Sequence, residues 1–192
     1  MGEAKQKAAA IAKWRDGLSD EAKIVNDAAQ ALFDKFIKPR HVTGMCYHSV
    51  FFLHEFLKDR HGIITVPIVG YVNDGTDDIM ISHAWLEYEG KKTDVSLAVT
   101  ARPDVSPAGE LIILDRVVKG GHKYFYHREM TTAGLLQLQK MRMNGQQALV
   151  DHKMEEHSLM TARSTQTELI RSYLDGEPNG LTYEKIVVLI ES

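Results

Sequence analysis

Three side chains carry the chemistry this chain could perform: Cys46, His83 and Asp94, met in that order along the sequence. Cys46 is the only cysteine among 192 residues and stands in Thr43-Gly44-Met45-Cys46-Tyr47-His48, at the expected first turn of a helix. The free N–H groups of a first helical turn and the positive end of the helix dipole favour a thiolate, the form of sulfur that attacks carbonyl carbon. A thiol nucleophile works with a base. His83 lies in Ile79-Met80-Ile81-Ser82-His83-Ala84-Trp85-Leu86-Glu87-Tyr88, which reads as a strand. After Glu89-Gly90 the chain returns as Lys91-Lys92-Thr93-Asp94-Val95-Ser96. With a two-residue turn at Glu89-Gly90, Tyr88 pairs with Lys91 and His83 with Ser96. Asp94 then shares a face with His83, one diagonal step and roughly 7–8 Å away between Cα atoms. There it can fix the imidazole tautomer and stabilise the imidazolium. A three-residue loop would turn Asp94 to the other face.

The elements that must position these residues are legible in the hydrophobic pattern. Residues 3–15, rich in Ala and Lys, read as a solvated helix ended by Asp16-Gly17. Ser19 caps a second helix from Asp20 to about Lys38, with Val25, Ala28, Ala29, Leu32 and Phe36 on one face and Pro39 as its stop. Thr43 is the expected N-cap of the helix from Met45 to Arg60, whose buried stripe is Cys46, Val50, Leu53 and Leu57. Residues 63–72 are dense in β-branched side chains and read as a strand, with Pro67 at an edge or bulge. Strands at 79–88, 91–99, 110–118, with Leu111 to Leu114 as its apolar part, and 122–128 complete an antiparallel sheet behind the helix. From Thr131 onward, helices are expected around Leu135 to Met143 and from Ala148 to about Leu174. A turn-rich break at 175–180 precedes a last segment, Leu181 to Ile190, that suits strand or helix. The whole reads as one α+β domain: N-terminal helices over 1–40, a core over 41–128 and a helical C-terminal region over 129–192.

Composition bounds the function classes. A net charge of -3 and no Lys/Arg cluster interleaved with aromatics give no field for nucleic acid. No apolar run is long enough to span a bilayer and the N-terminus lacks a signal-peptide pattern, so a cytoplasmic protein is expected. A single cysteine excludes an internal disulfide and fits a reducing compartment. The nine histidines include His41, His48, His54 and His61 near the cysteine, but their spacing makes no compact ligand pair. No metal and no cofactor are expected. Asn73 to Asp78 reads as a solvated loop, Trp85 and Tyr71 as core packing with the wall of a substrate cleft as the alternative for either, and Glu110, Asp115, Glu155 and Glu156 as surface charges.

In text as well as order, these residues resemble the transglutaminase-like branch of the papain-like cysteine enzymes. The resemblance lies in Gly44-Met45-Cys46 heading an apolar helix, His61-Gly62-Ile63, Val69-Gly70-Tyr71, His83-Ala84-Trp85-Leu86-Glu87 and Asp94, over residues 44–96. It implies a papain-like core over 41–128, in which a catalytic-cysteine helix packs on an antiparallel sheet. It also implies a Cys-His-Asp triad acting on an amide or related acyl bond. Cys46 would be the nucleophile, His83 base and then acid, and Asp94 the orienter. Family members commonly carry a tryptophan shortly before the aspartate and a proline just after it. Here Lys91-Lys92-Thr93 and Val95 stand instead. An oxyanion hole would use the Cys46 N–H; Arg40, His41 and Thr43 are near it in sequence, and none is matched by a motif. The leading expectation is a cysteine hydrolase of peptide or isopeptide amides through a thioester. The alternatives are an acyltransferase to an amine and a non-catalytic domain whose triad residues only pack. The expected partner is a peptide or protein substrate, and nothing in the sequence speaks to the oligomeric state.

Overall fold

The structure is a computed structural model that describes residues 2–176 and 180–192; Glu177, Pro178 and Asn179 of the turn-rich break lie outside the described residues. In chain order the elements are helix α1 (Gly2–Asp16), helix α2 (Asp20–Ala31) with its wider last turns over Leu32–Ile37, helix α3 (Cys46–His61), and strands β1 (Val66–Asn73), β2 (Ile81–Tyr88) and β3 (Lys91–Thr93). Strands β4 (Leu111–Ile113), β5 (Arg116–Lys119) and β6 (Phe125–His127) follow, then helices α4 (Thr132–Met141), α5 (Gln147–Arg163), α6 (Thr167–Asp175) and α7 (Tyr183–Glu191). The class is α+β, with antiparallel strand pairing.

The N-terminal helices form as their sequence directs. The Ser19 hydroxyl accepts from the Ala22 N–H and starts α2. Val25, Ala28, Ala29, Leu32 and Phe36 are all buried. The wider turns at Leu32–Ile37 bring Phe33 and Ile37 inward as well, which a strict 3.6-residue period leaves at the margin of that face. Arg15 grips Asp27 with two bonds of 3.0 and 2.6 Å and ties α1 to α2.

Helix α3 is the central element. Nearly every side chain from Tyr47 to Leu57 is buried, on all sides of the helix and not on one stripe. It packs against β1 and β2 on one side and against α2 and α6 on others. Thr43 does not cap it. Met45 holds the cap position without a side-chain bond, and Gly44, in the left-handed region at φ 70°, turns the chain so that Thr43 departs from the helix axis. The first-turn N–H groups are therefore left without a side-chain cap at the end where Cys46 stands.

The main sheet has the order β3-β2-β1-β6. Only residues 71–73 of β1 pair with β6, so the half of β1 holding Pro67 has a strand on one side alone, as a residue without an N–H requires. The turn between β2 and β3 is the two-residue Glu89-Gly90 turn, both residues at positive φ (49° and 73°), and Tyr88 pairs with Lys91. Two expectations are corrected here. The returning strand ends at Thr93, so His83 and Ser96 do not pair. At Asp94 the chain leaves β2 and exchanges backbone bonds with Ile112 of β4, Asp94 N–H to Ile112 O at 2.8 Å and Ile112 N–H to Asp94 O at 3.0 Å. The segments at 111–113 and 116–119 accordingly form their own two-stranded sheet. The ambiguous last segment is a helix, α7. Its buried residues Tyr183, Ile186, Val187 and Ile190 join the hydrophobic cluster that also holds α2, α3 and α6.

Candidate active site

His83, Trp85 and Glu87 alternate along β2 with Ala84, Leu86 and Tyr88, which belong to the core cluster around α3. On the His83 face, Trp85 lies over Gly70, where an added Cβ would sit 2.7 Å from the indole and 2.5 Å from the His127 carbonyl oxygen. The missing side chain at Gly70 lets the indole and β6 come close, and β6 brings Tyr126 to the site.

The structure brings the three sequence-derived residues together. His83 Nε2 bonds Asp94 Oδ2 at 2.6 Å, with both residues buried. The ring nitrogen left over is Nδ1, and Cys46 lines the same cavity as the ring. Burial alone would lower the pKa of His83, but the charges and hydrogen bonds of Asp94 and Cys46 outweigh it and raise the imidazole to about 10. Burial would likewise raise the Asp94 carboxyl, yet its pKa is lowered by His83, by the Ser96 N–H and by a tyrosine hydroxyl.

That tyrosine is Tyr126, which the sequence reading missed. Its hydroxyl donates to Asp94 Oδ2 at 2.9 Å, the same oxygen that holds His83. Ser96 donates to Oδ1 through its N–H and its hydroxyl, both at 2.9 Å. The carboxylate thus accepts from four donors, and the turn at Ser96 replaces the strand pairing expected there. Tyr126 is clamped in turn: its ring meets Trp85 edge-on at 5.4 Å, and the Lys92 ammonium lies 3.4 Å from the ring centroid. Burial and the Asp94 charge raise the tyrosine pKa, so the hydroxyl keeps its proton and remains a donor. The only sequence signal for Tyr126 was a tyrosine inside a short strand pattern; a buried hydroxyl needs a partner, but the pattern does not name it.

A second chain of polar groups runs beside the first. The Tyr47 hydroxyl and Ser82 Oγ lie 2.6 Å apart, Ser82 Oγ and His157 Nδ1 2.5 Å apart, and the His157 ring stacks on Tyr71 at 4.3 Å. Tyr47 and Ser82, the chain neighbours of Cys46 and His83, therefore hold α5 in place, and burial lowers the pKa of His157.

Between these elements lies a cavity of about 620 Å³, lined by Cys46, His83 and Ser96 and by α4 and α5 residues such as Leu138, Val150 and Met154. Thr43 and Tyr71 line it, and so does Glu156, which is half-buried and not a simple surface charge. Arg40 and His41 do not line it: the Arg40 guanidinium donates to the Lys35 carbonyl and lies over the Phe36 ring, and His41 is exposed. Asn73 to Asp78 is a loop closed by its own Asx bonds, including Gly75 N–H to Asn73 Oδ1 at 2.7 Å. Among the described residues, no group of three or more His, Cys, Asp or Glu is placed to hold a metal ion, and no helix is long and apolar enough to cross a membrane. No family model, curated protein or solved structure matches this chain.

Proposed function

We propose that this protein is a cysteine hydrolase of the transglutaminase-like, papain-related type, acting on an amide or related acyl bond through a thioester. The observation that carries the reading is the buried His83–Asp94 bond of 2.6 Å, on a ring whose pKa is also raised by Cys46. A histidine serving the core alone would have no reason to line a cavity together with the chain's one thiol.

In this reaction His83 takes the Cys46 proton, and the sulfur forms a bond to the substrate carbonyl carbon. The Cys46 N–H, in the first turn of α3 with no carbonyl of its own helix to bind, donates to the developing oxyanion in this scheme. The bond to the leaving amine then breaks with its electron pair as His83 delivers the proton. Water adds to the thioester, giving one proton back to His83, and the C–S bond breaks to release the acid and the thiol. Asp94 stays ionised throughout and, by bonding Nε2, leaves Nδ1 as the ring nitrogen that takes and returns the proton. Tyr126 and Ser96 hold Asp94.

Trapping tests the reading. Brief incubation with acyl substrates, acid quench and intact mass should show a hydroxylamine-labile adduct on Cys46, and none on Cys46→Ala. An adduct that is absent in the native protein, or unchanged in the variant, would refute it.

A further inference from the structure

The lining of the cavity narrows the substrate beyond the bond that is broken. Five of the eight methionines, Met45, Met80, Met130, Met141 and Met154, line it. The α4–α5 side adds Leu138, Leu149 and Val150. Of the charged residues in the lining, Arg102 and Lys153 are exposed and mark the solvent side, and Glu156 is half-buried beside the stretch that holds His157. A polar side chain carried into this space would lose water and find few partners. Methionine side chains are unbranched, polarizable and adaptable, which suits an occupant that is apolar and variable in shape. One of them is fixed as a floor. The Met80 sulfur accepts from the Thr131 N–H and hydroxyl, both at 3.2 Å, and Gly134 of α4 rests so close that a Cβ there would lie 2.7 Å from it. The cavity volume, about 620 Å³, lies inside the range of roughly 300–1,000 Å³ in which small organic ligands are enclosed.

We infer that the acyl half of the substrate carries an aliphatic chain, lying among these methionines with its carbonyl at Cys46. The inference rests on the thiol-acyl reading of the site. The chemistry is common to fatty esters, thioesters and N-acyl amides, which differ in the leaving group. In each, the C–S bond forms at the carbonyl carbon, and the C–O, C–S or C–N bond to the leaving group breaks with its electron pair. His83 protonates the leaving group where it needs a proton. Water then releases the free carboxylic acid and regenerates the thiol.

The test is a series of p-nitrophenyl esters from acetyl through butyryl and hexanoyl to octanoyl, with the native protein, Cys46→Ala, Met141→Gln and Met154→Glu. A fully buried methylene is expected to raise kcat/KM about fourfold, so each two-carbon step should give tenfold or more until the cavity is full. Met154→Glu and Met141→Gln should flatten that slope. The same acyl series as thioesters and as anilides should repeat the slope, and the class with the largest acceleration over its own uncatalysed hydrolysis, the esters included, identifies the leaving group. Turnover that depends on Cys46 but is flat in chain length, or that favours a phenylacetyl ester over octanoyl, overturns the inference and leaves the triad standing. Turnover that survives in Cys46→Ala for every ester overturns both.

Discussion

Replacing Tyr126 by phenylalanine removes one hydroxyl and little else. The ring can keep its edge contact with Trp85 and its place under the Lys92 ammonium, so the change reads the bond to Asp94 Oδ2 at 2.9 Å. A hydrogen bond to a charged group contributes about 1.5–3 kcal/mol, whereas a neutral one contributes about 0.5–1.5 kcal/mol. Tyr126→Phe should therefore destabilise the protein by about 2 kcal/mol where Asp94 is ionised, and by about 1 kcal/mol or less in an Asp94→Asn background. The difference, about 1 kcal/mol, is the coupling between hydroxyl and carboxylate, above the scatter of about 0.3–0.5 kcal/mol seen for independent sites. Urea unfolding of the four proteins at neutral pH measures it. Equal penalties in the two backgrounds would refute the argument that Tyr126 serves the Asp94 charge, and would make it a packing residue only.

Further outcomes follow from the same geometry. The folded-state pKa of His83, about 10, is raised above the ordinary value of 6.5, so between these values the folded state binds more protons than the unfolded one and stability falls as pH rises. The contribution is complete below about pH 6.5 and is lost through about pH 10. Melting temperatures from pH 6 to 10 should fall more steeply in the native protein than in His83→Gln, and parallel slopes would contradict the pairing. Gly70→Ala puts a Cβ 2.5 Å from the His127 carbonyl oxygen and 2.7 Å from Trp85. It should destabilise by about 1–3 kcal/mol and speed amide exchange in β6; an unchanged β6 would show that strand to be free to shift.

The sequence was most informative where local rules decide geometry. Ser19 caps α2, Glu89-Gly90 makes the two-residue turn, and that turn puts Asp94 beside His83. The reading lost accuracy where tertiary partners decide. Asp94 looked like one residue in a strand reaching 99, but its backbone is taken by Ile112, distant in sequence, and its carboxylate then folds Ser96 into a turn. Thr43 had the right residue type for a cap, and a positive φ at Gly44 diverted it. Tyr126 was invisible because its role depends on β6 lying against β1 across the gap that Gly70 leaves. The C-terminal region carried no motif because it contributes surfaces: α4 and α5 wall the cavity, while α6 and α7 complete the core around α3. Helix α3 also misled in a modest way, since its apolar stripe of Cys46, Val50, Leu53 and Leu57 describes one side of a helix buried on every side.

The central claim is that Cys46 and His83 act as one reactive pair. Its most direct test is the rate of Cys46 alkylation by iodoacetamide, followed by intact mass at neutral pH, in the native protein and in His83→Ala. If Cys46 and His83, which line one cavity, act as nucleophile and base, removing the imidazole should slow labelling about tenfold or more, with the fold intact by circular dichroism. Equal rates in the two proteins, or labelling only on unfolding, would contradict the account and leave Cys46 as a packing residue at the head of α3.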